Sequence, residues 1–120
     1  MNHEVVHSTR TCYKLMKIDN EGKLHSPCFE TDRSYSLGDT MYHSVRITDY
    51  DGMDRVEEFT YGVIHAFNNL DSAIRHLTSN CVIVKCILSK NTVYWENTNE
   101  IACMKLKLKE IYVKRKILRQ

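Results

Sequence analysis

The chain has 120 residues, the size of one ordinary domain, with 42% hydrophobic and 27% charged residues. That balance excludes disordered and fibrous chains, and with four glycines and one proline it also excludes collagen-like and low-complexity ones. A net charge of +2 by itself points to no class of partner.

Residues 1–9 are polar and lack the apolar stretch of a signal peptide, so a flexible arm is expected there. Cys12 to Ile18 alternates as a strand does. Asp19 to Gly22 is a turn, because Gly22 can take the positive φ that closes a tight hairpin. Lys23 to Phe29 returns as the partner strand, and Pro27, which has no N–H for a ladder, places that strand's end at a sheet edge. Thr31 to Thr40 reads as a loop. Met41 to Thr48 reads as a strand, Asp51-Gly52 as a second hairpin tip, and Arg55 to Thr60 as its return strand.

The pattern sharpens after Tyr61. Val63 to Phe67 is a short apolar strand, and Asn68 or Asn69 can cap the helix that follows. Leu70, Ala73, Ile74 and Leu77 recur at helical spacing, which predicts two to three turns ending near Asn80. Cys81 to Leu88 is β-branched and apolar on both faces apart from Lys85, as a central strand is. Thr92 to Glu96 is another strand, and Glu100 to Val113 is the last and longest. There Met104, Leu106 and Leu108 alternate with Lys105, Lys107 and Lys109 until the apolar phase shifts to Ile111 and Val113, as a β-bulge would shift it. Strands, one short helix and more strands make a single α+β domain over residues 1–120, a mostly antiparallel sheet with the helix packed on it.

Charge is unevenly placed. In residues 105–120, seven basic residues against one acid, Glu110, give +6, so the remaining 104 residues sum to −4. Asp49, Asp51, Asp54, Glu57 and Glu58 form an acidic patch on the second hairpin. Lys105, Lys107, Lys109, Lys114, Arg115 and Lys116 form a basic end whose last part, 114–120, reads as a tail. Lysines on that strand serve either a phosphate contact or the protection of a sheet edge against aggregation. Edge protection is the expectation.

Five cysteines follow no secreted-scaffold spacing and read as reduced, buried thiols of a cytoplasmic protein. Cys81 and Cys86 lie at an odd separation in one strand, face opposite ways and cannot share a zinc ion. The segment from Asp49 to Thr60 fails the calcium-loop pattern at three places. No glycine-rich phosphate cradle or Gly-x-Ser-x-Gly elbow occurs, and a cysteine in an apolar strand is a poor nucleophile. No metal is expected, and no apolar run is long enough to span a membrane.

The segments Tyr61-Gly-Val-Ile-His-Ala-Phe67, Val82-Ile-Val-Lys-Cys86 and Asn99-Glu-Ile101, with the helix between the first two, resemble a set of small uncharacterised phage and bacterial proteins. More weakly, they resemble the later half of ADP-ribosyltransferase domains, in which a Gly-led strand, a helix and an apolar strand precede a strand headed by a catalytic glutamate. The second resemblance implies NAD as cofactor, with Glu100 stabilising the developing oxocarbenium ion and His65 lining the same cleft. Thr98 stands where that family's Glu-x-Glu pattern has its first glutamate.

The combined expectation is a small interaction protein of phage-like type, without its own catalysis. It would bind a host protein or nucleoprotein complex through one of the two charged patches. The alternatives are an ADP-ribosyltransferase-like NAD enzyme, or its inactive descendant, working through Glu100 and His65, and a weak binder of RNA or single-stranded DNA through the basic end. Pairing of an exposed edge leaves a dimer open.

Overall fold

The computed structural model describes residues 4–27, 31–42 and 64–113. These form strands β1 (Glu4–Val5), β2 (Arg10–Ile18), β3 (Leu24–His25), β4 (Thr40–Tyr42) and β5 (Ile64–Phe67), helix α1 (Leu70–Arg75), and strands β6 (Cys81–Leu88), β7 (Val93–Glu96), β8 (Glu100–Cys103) and β9 (Lys105–Val113). The acidic hairpin 49–58, the strand expected at Arg55 to Thr60 and the basic tail 114–120 lie outside the described residues.

All nine strands join one sheet in the order β1-β7-β8-β5-β2-β6-β9-β4, with β3 paired to β2. Every pairing is antiparallel. With the single helix, this is the α+β arrangement expected from the sequence. The long pairing of β2 with β6, from Arg10 opposite Leu88 to Lys17 opposite Cys81, forms the centre. The other edge of β2 is shared, β5 meeting it where Tyr13 lies opposite Phe67 and β3 where Lys17 and Ile18 lie opposite His25 and Leu24.

The connection between β8 and β9 determines the overall shape. Met104 alone joins them, yet β5, β2 and β6 lie between them in the sheet. Four inter-strand steps span roughly 19 Å, whereas two Cα steps reach about 7.6 Å. The sheet therefore curls on itself until its two halves meet at Met104, a strand changing sheets at a bend. The one long strand expected from Glu100 to Val113 is thus two strands. The expected bulge is present in β9, where the register with β6 shifts between Lys85 and Cys86 and again between Ile83 and Val84.

The inside of the curl is the core. Cys12 and Met16 of β2, Val82, Val84, Cys86 and Leu88 of β6, Ile101 and Cys103 of β8, and Leu106 and Leu108 of β9 belong to one buried cluster. Each alternates with a residue on the outer face, as the strand period of two requires. Val6 is also in that cluster, and its N–H donates to the Thr92 carbonyl at 3.0 Å. With β1 paired to β7, residues 4–6 are thus docked on the sheet, a correction to the expected free arm.

Helix α1 packs on β2 and β5 and buries Ser72 and Ala73. Of the two candidate caps, Asn69 is used, its Oδ1 accepting from the Ser72 N–H at 2.8 Å. The helix is shorter than expected and ends at His76 rather than near Asn80. His76 donates its backbone N–H to the Ser72 and Ala73 carbonyls and its Nδ1 to the Ser72 carbonyl at 2.8 Å, which satisfies the end of the helix there. Gly22 adopts φ +83°, the conformation expected of it in the β2–β3 turn. Among the described residues no helix is long and apolar enough to cross a membrane.

Candidate nucleic-acid interface

Strand alternation turns Tyr13, Lys85 and Phe67 to the outer face of the curl, because their neighbours Cys12, Val84, Cys86 and Ala66 all face the core. Register then brings them together, Tyr13 lying opposite both Lys85 and Phe67. The Tyr112 ring of β9 meets the Tyr13 ring edge-on with centroids 5.8 Å apart. At the other side, Phe67 stacks on His76 at 4.9 Å with planes 22° apart. Four rings, Tyr112, Tyr13, Phe67 and His76, therefore run across the sheet from β9 to the end of α1.

Cations flank this line. The Lys85 ammonium lies 5.8 Å from the Tyr112 ring centroid, as cation–π contacts do, and 4.0 Å from a Glu110 carboxylate oxygen. Lys105 and Lys107 lie opposite Tyr42 and Thr40 of β4. Lys107 and Lys109 are exposed, and so are Tyr42 at 59% and Tyr112 at 47%.

These pairings overturn edge protection as the purpose of Lys105 and Lys107. Strand β9 has β6 on one side and β4 on the other. The ladder continues beyond β4 as Leu108 exchanges hydrogen bonds with Gly38 and Asp39. Lys105 and Lys107 thus project from the interior of the sheet. Lys109 sits at the bulge; Lys114, Arg115 and Lys116 lie outside the described residues, as do Asp49, Asp51, Asp54, Glu57 and Glu58.

At the α1 end of the line, Phe67, His76 and Asn97 to Glu100 line an open groove of about 410 Å³. The β7–β8 turn that forms its wall is tightly held. Asn97 Oδ1 accepts from the N–H groups of Asn99 at 3.0 Å and Glu100 at 2.7 Å, and Asn97 Nδ2 donates to Glu100 Oε1 at 3.3 Å. Glu100 lies opposite Phe67 and so heads the groove, whereas His65 lies opposite Ala102, outside its lining. Among the described residues the lining carries a carboxylate and no lysine or arginine, which does not complement the diphosphate of NAD.

Behind the groove runs a polar chain of fixed direction. Arg10 binds both carboxylate oxygens of Glu96, at 3.0 and 2.8 Å. Its guanidinium lies 5.4 Å from the Tyr94 ring centroid. These bonds, with help from Asn68, hold the Glu96 carboxyl below its ordinary range, and the same pairing pushes Arg10 up. A carboxylate only accepts, so Asn68 must offer Nδ2 to Glu96, at 2.8 Å. Its Oδ1 then accepts from Asn69 Nδ2 at 2.8 Å, and that Nδ2 also reaches Asn99 Oδ1 at 3.4 Å.

The thiols of Cys12, Cys86 and Cys103 are buried inside the curl. Burial pushes Cys12 up to about 12, against weaker opposing pulls from Arg10 and Lys14, and pushes the other two up as well, against Lys14. The Lys14 ammonium shares this interior and donates to the His65 carbonyl at 2.8 Å. Cys86 is thus a core thiol and not a poised nucleophile. Among the described residues no group of three ligands is arranged to hold a metal ion.

The sequence reading singled out the lysines of β9 and missed Tyr13, Phe67 and His76 as parts of this face. Tyr13, Lys85 and Phe67 could have been found from the alternation in β2, β5 and β6. Bringing Tyr112 to them requires the bulged register of β9. Comparison of the chain with protein-family models, curated proteins and solved structures gave no match.

Proposed function

We propose that the protein is an interaction protein that holds single-stranded nucleic acid on the outer face of its curled sheet. The observation that carries this reading is the line of rings from Tyr112 through Tyr13 and Phe67 to His76, bordered by Lys85, Lys105 and Lys107. Each base has a π-face that can lie on such rings, and lysines beside them can contact the phosphates of the same strand. Of the host protein or nucleoprotein partner expected from the sequence, this face suits the nucleic-acid component.

Fluorescence anisotropy with a labelled single-stranded 12-mer, as DNA and as RNA, tests it. Affinity should fall with salt along a slope of roughly −2 on logarithmic axes if three lysines each neutralise one phosphate. Tyr112→Ala should weaken binding roughly 5- to 100-fold, the effect of losing one stacked base. An absence of binding at low salt, or unchanged affinity in Tyr112→Ala, would refute the proposal. A preference for one of the two arms identifies the nucleic acid concerned.

A further inference from the structure

The groove at the α1 end of the ring line has a definite hydrogen-bonding polarity, and on the reading above we infer that it selects guanine. Glu100 Oε1 is occupied by Asn97 Nδ2, and among the described residues Oε2 has no partner. The polarity of Asn99 is fixed from a distance. The Ser72 N–H claims Asn69 Oδ1, Asn69 therefore turns Nδ2 toward Asn99 Oδ1, and Asn99 Nδ2 is left as a donor without a partner among the described residues. The N–H groups of Asn99 and Glu100 are consumed by Asn97 Oδ1. His76 donates Nδ1 to the Ser72 carbonyl, so that nitrogen is not open to a ligand.

The groove thus offers a carboxylate and one amide donor beside the Phe67–His76 stack. Guanine alone among the bases presents two adjacent donors, N1–H and N2–H, next to an acceptor, O6. The carboxylate of Glu100 can take both donors while Asn99 Nδ2 gives to O6. Adenine and cytosine would each turn a ring-nitrogen lone pair toward the carboxylate, and uracil or thymine offers a single N–H between two carbonyls. Each of those leaves a polar group opposed or unmatched, which is what makes such sites selective. The groove's volume, about 410 Å³, suits a single nucleotide.

The test compares an undecamer of thymidines with the same strand carrying one central guanine, adenine or cytosine, by anisotropy at fixed salt. The guanine strand should bind wild type roughly 5- to 100-fold more tightly than the others. Glu100→Gln, at an exposed position, should bring the ratio of guanine-strand to thymidine-strand affinity down to about one, whatever the change of charge does to both affinities together. Asn99→Asp, which sets a carboxylate against O6, should lower the same ratio. Equal binding of all four strands by wild type, or a guanine preference surviving in Glu100→Gln, overturns guanine selection and leaves the ring-and-lysine face standing. Binding of none of the four strands overturns both.

Discussion

Arg10→Ala should destabilise the protein measurably, and by an amount that depends on pH. The substitution removes two charge-assisted hydrogen bonds to Glu96 and the contact with the Tyr94 ring. Hydrogen bonds to charged groups are worth about 1.5–3 kcal/mol each when well shielded, but the Arg10 and Glu96 side chains are 33% and 22% exposed, so solvent screening cuts that value. Their joint loss should cost about 1–3 kcal/mol, or roughly 4 °C in melting temperature per kcal/mol for a domain of this size. Glu96 is held below its ordinary value chiefly by Arg10. The stabilisation is therefore present above that ordinary value and lost as pH falls through the lowered one. Urea unfolding of wild type, Arg10→Ala, Glu96→Ala and the double variant, at neutral pH and again in acid, isolates the pair. The coupling should be positive at neutral pH and shrink in acid. A coupling below about 0.3 kcal/mol at neutral pH, the scatter expected of independent sites, would refute the argument, as would one that is the same in acid.

A second pH effect belongs to the β2–β3 hairpin. His25 Nδ1 faces the Thr31 carbonyl and Nε2 faces Asp19, so both nitrogens must donate and the ring is the imidazolium. Asp19 raises His25 and His25 lowers Asp19. The pair's contribution is lost as pH rises through the raised histidine value, and also as pH falls through the lowered aspartate value. The His25 NMR titration midpoint should lie above an ordinary histidine's, and Asp19→Asn should bring it down; an unmoved midpoint contradicts the pairing. In the core, Leu108 is fully buried at the join of β6 and β9. Leu108→Ala should therefore cost about 2–5 kcal/mol in denaturant unfolding, and a loss under 1 kcal/mol would mean that the curl is not packed as described.

What the sequence made legible was local. Periodicity and turn chemistry placed β2, β6 and the Gly22 turn because each depends on neighbours within a few residues. The helix was overextended because Leu70, Ala73, Ile74 and Leu77 match a longer pattern, and the His76 side chain that closes the helix gives no periodic signal. The curl could not be read, since nothing in Cys103-Met104-Lys105 says that β8 and β9 pair with different strands. For the same reason Lys105 and Lys107 were assigned to an edge that β4 in fact covers. On the site, Glu100 and the basic residues were visible as types. Their setting depends on long-range register, such as Tyr13 opposite Phe67, and on the amide chain from Asn68 to Asn99.

That amide chain makes the base preference depend on a residue that touches no base. Asn69 is that residue: the Ser72 N–H claims its Oδ1, so its Nδ2 must face Asn68 Oδ1 and Asn99 Oδ1. Asn69→Ser keeps a cap for the Ser72 N–H but removes the Nδ2 that faces Asn99 Oδ1, so Asn99 can sit either way round. Guanine preference should then fall while affinity for a thymidine strand stays at the wild-type level, because the rings and lysines are untouched. Tyr112→Ala should do the reverse, lowering affinity for every strand by a similar factor and preserving the ratio between them. The outer position of Tyr112, 47% exposed, keeps that loss from being one of folding, since exposed substitutions usually change stability by about 0.5 kcal/mol or less. If Asn69→Ser and Tyr112→Ala moved affinity and preference together, the groove and the ring line would not be separable parts of one surface, and Asn69 would not be what orients the groove.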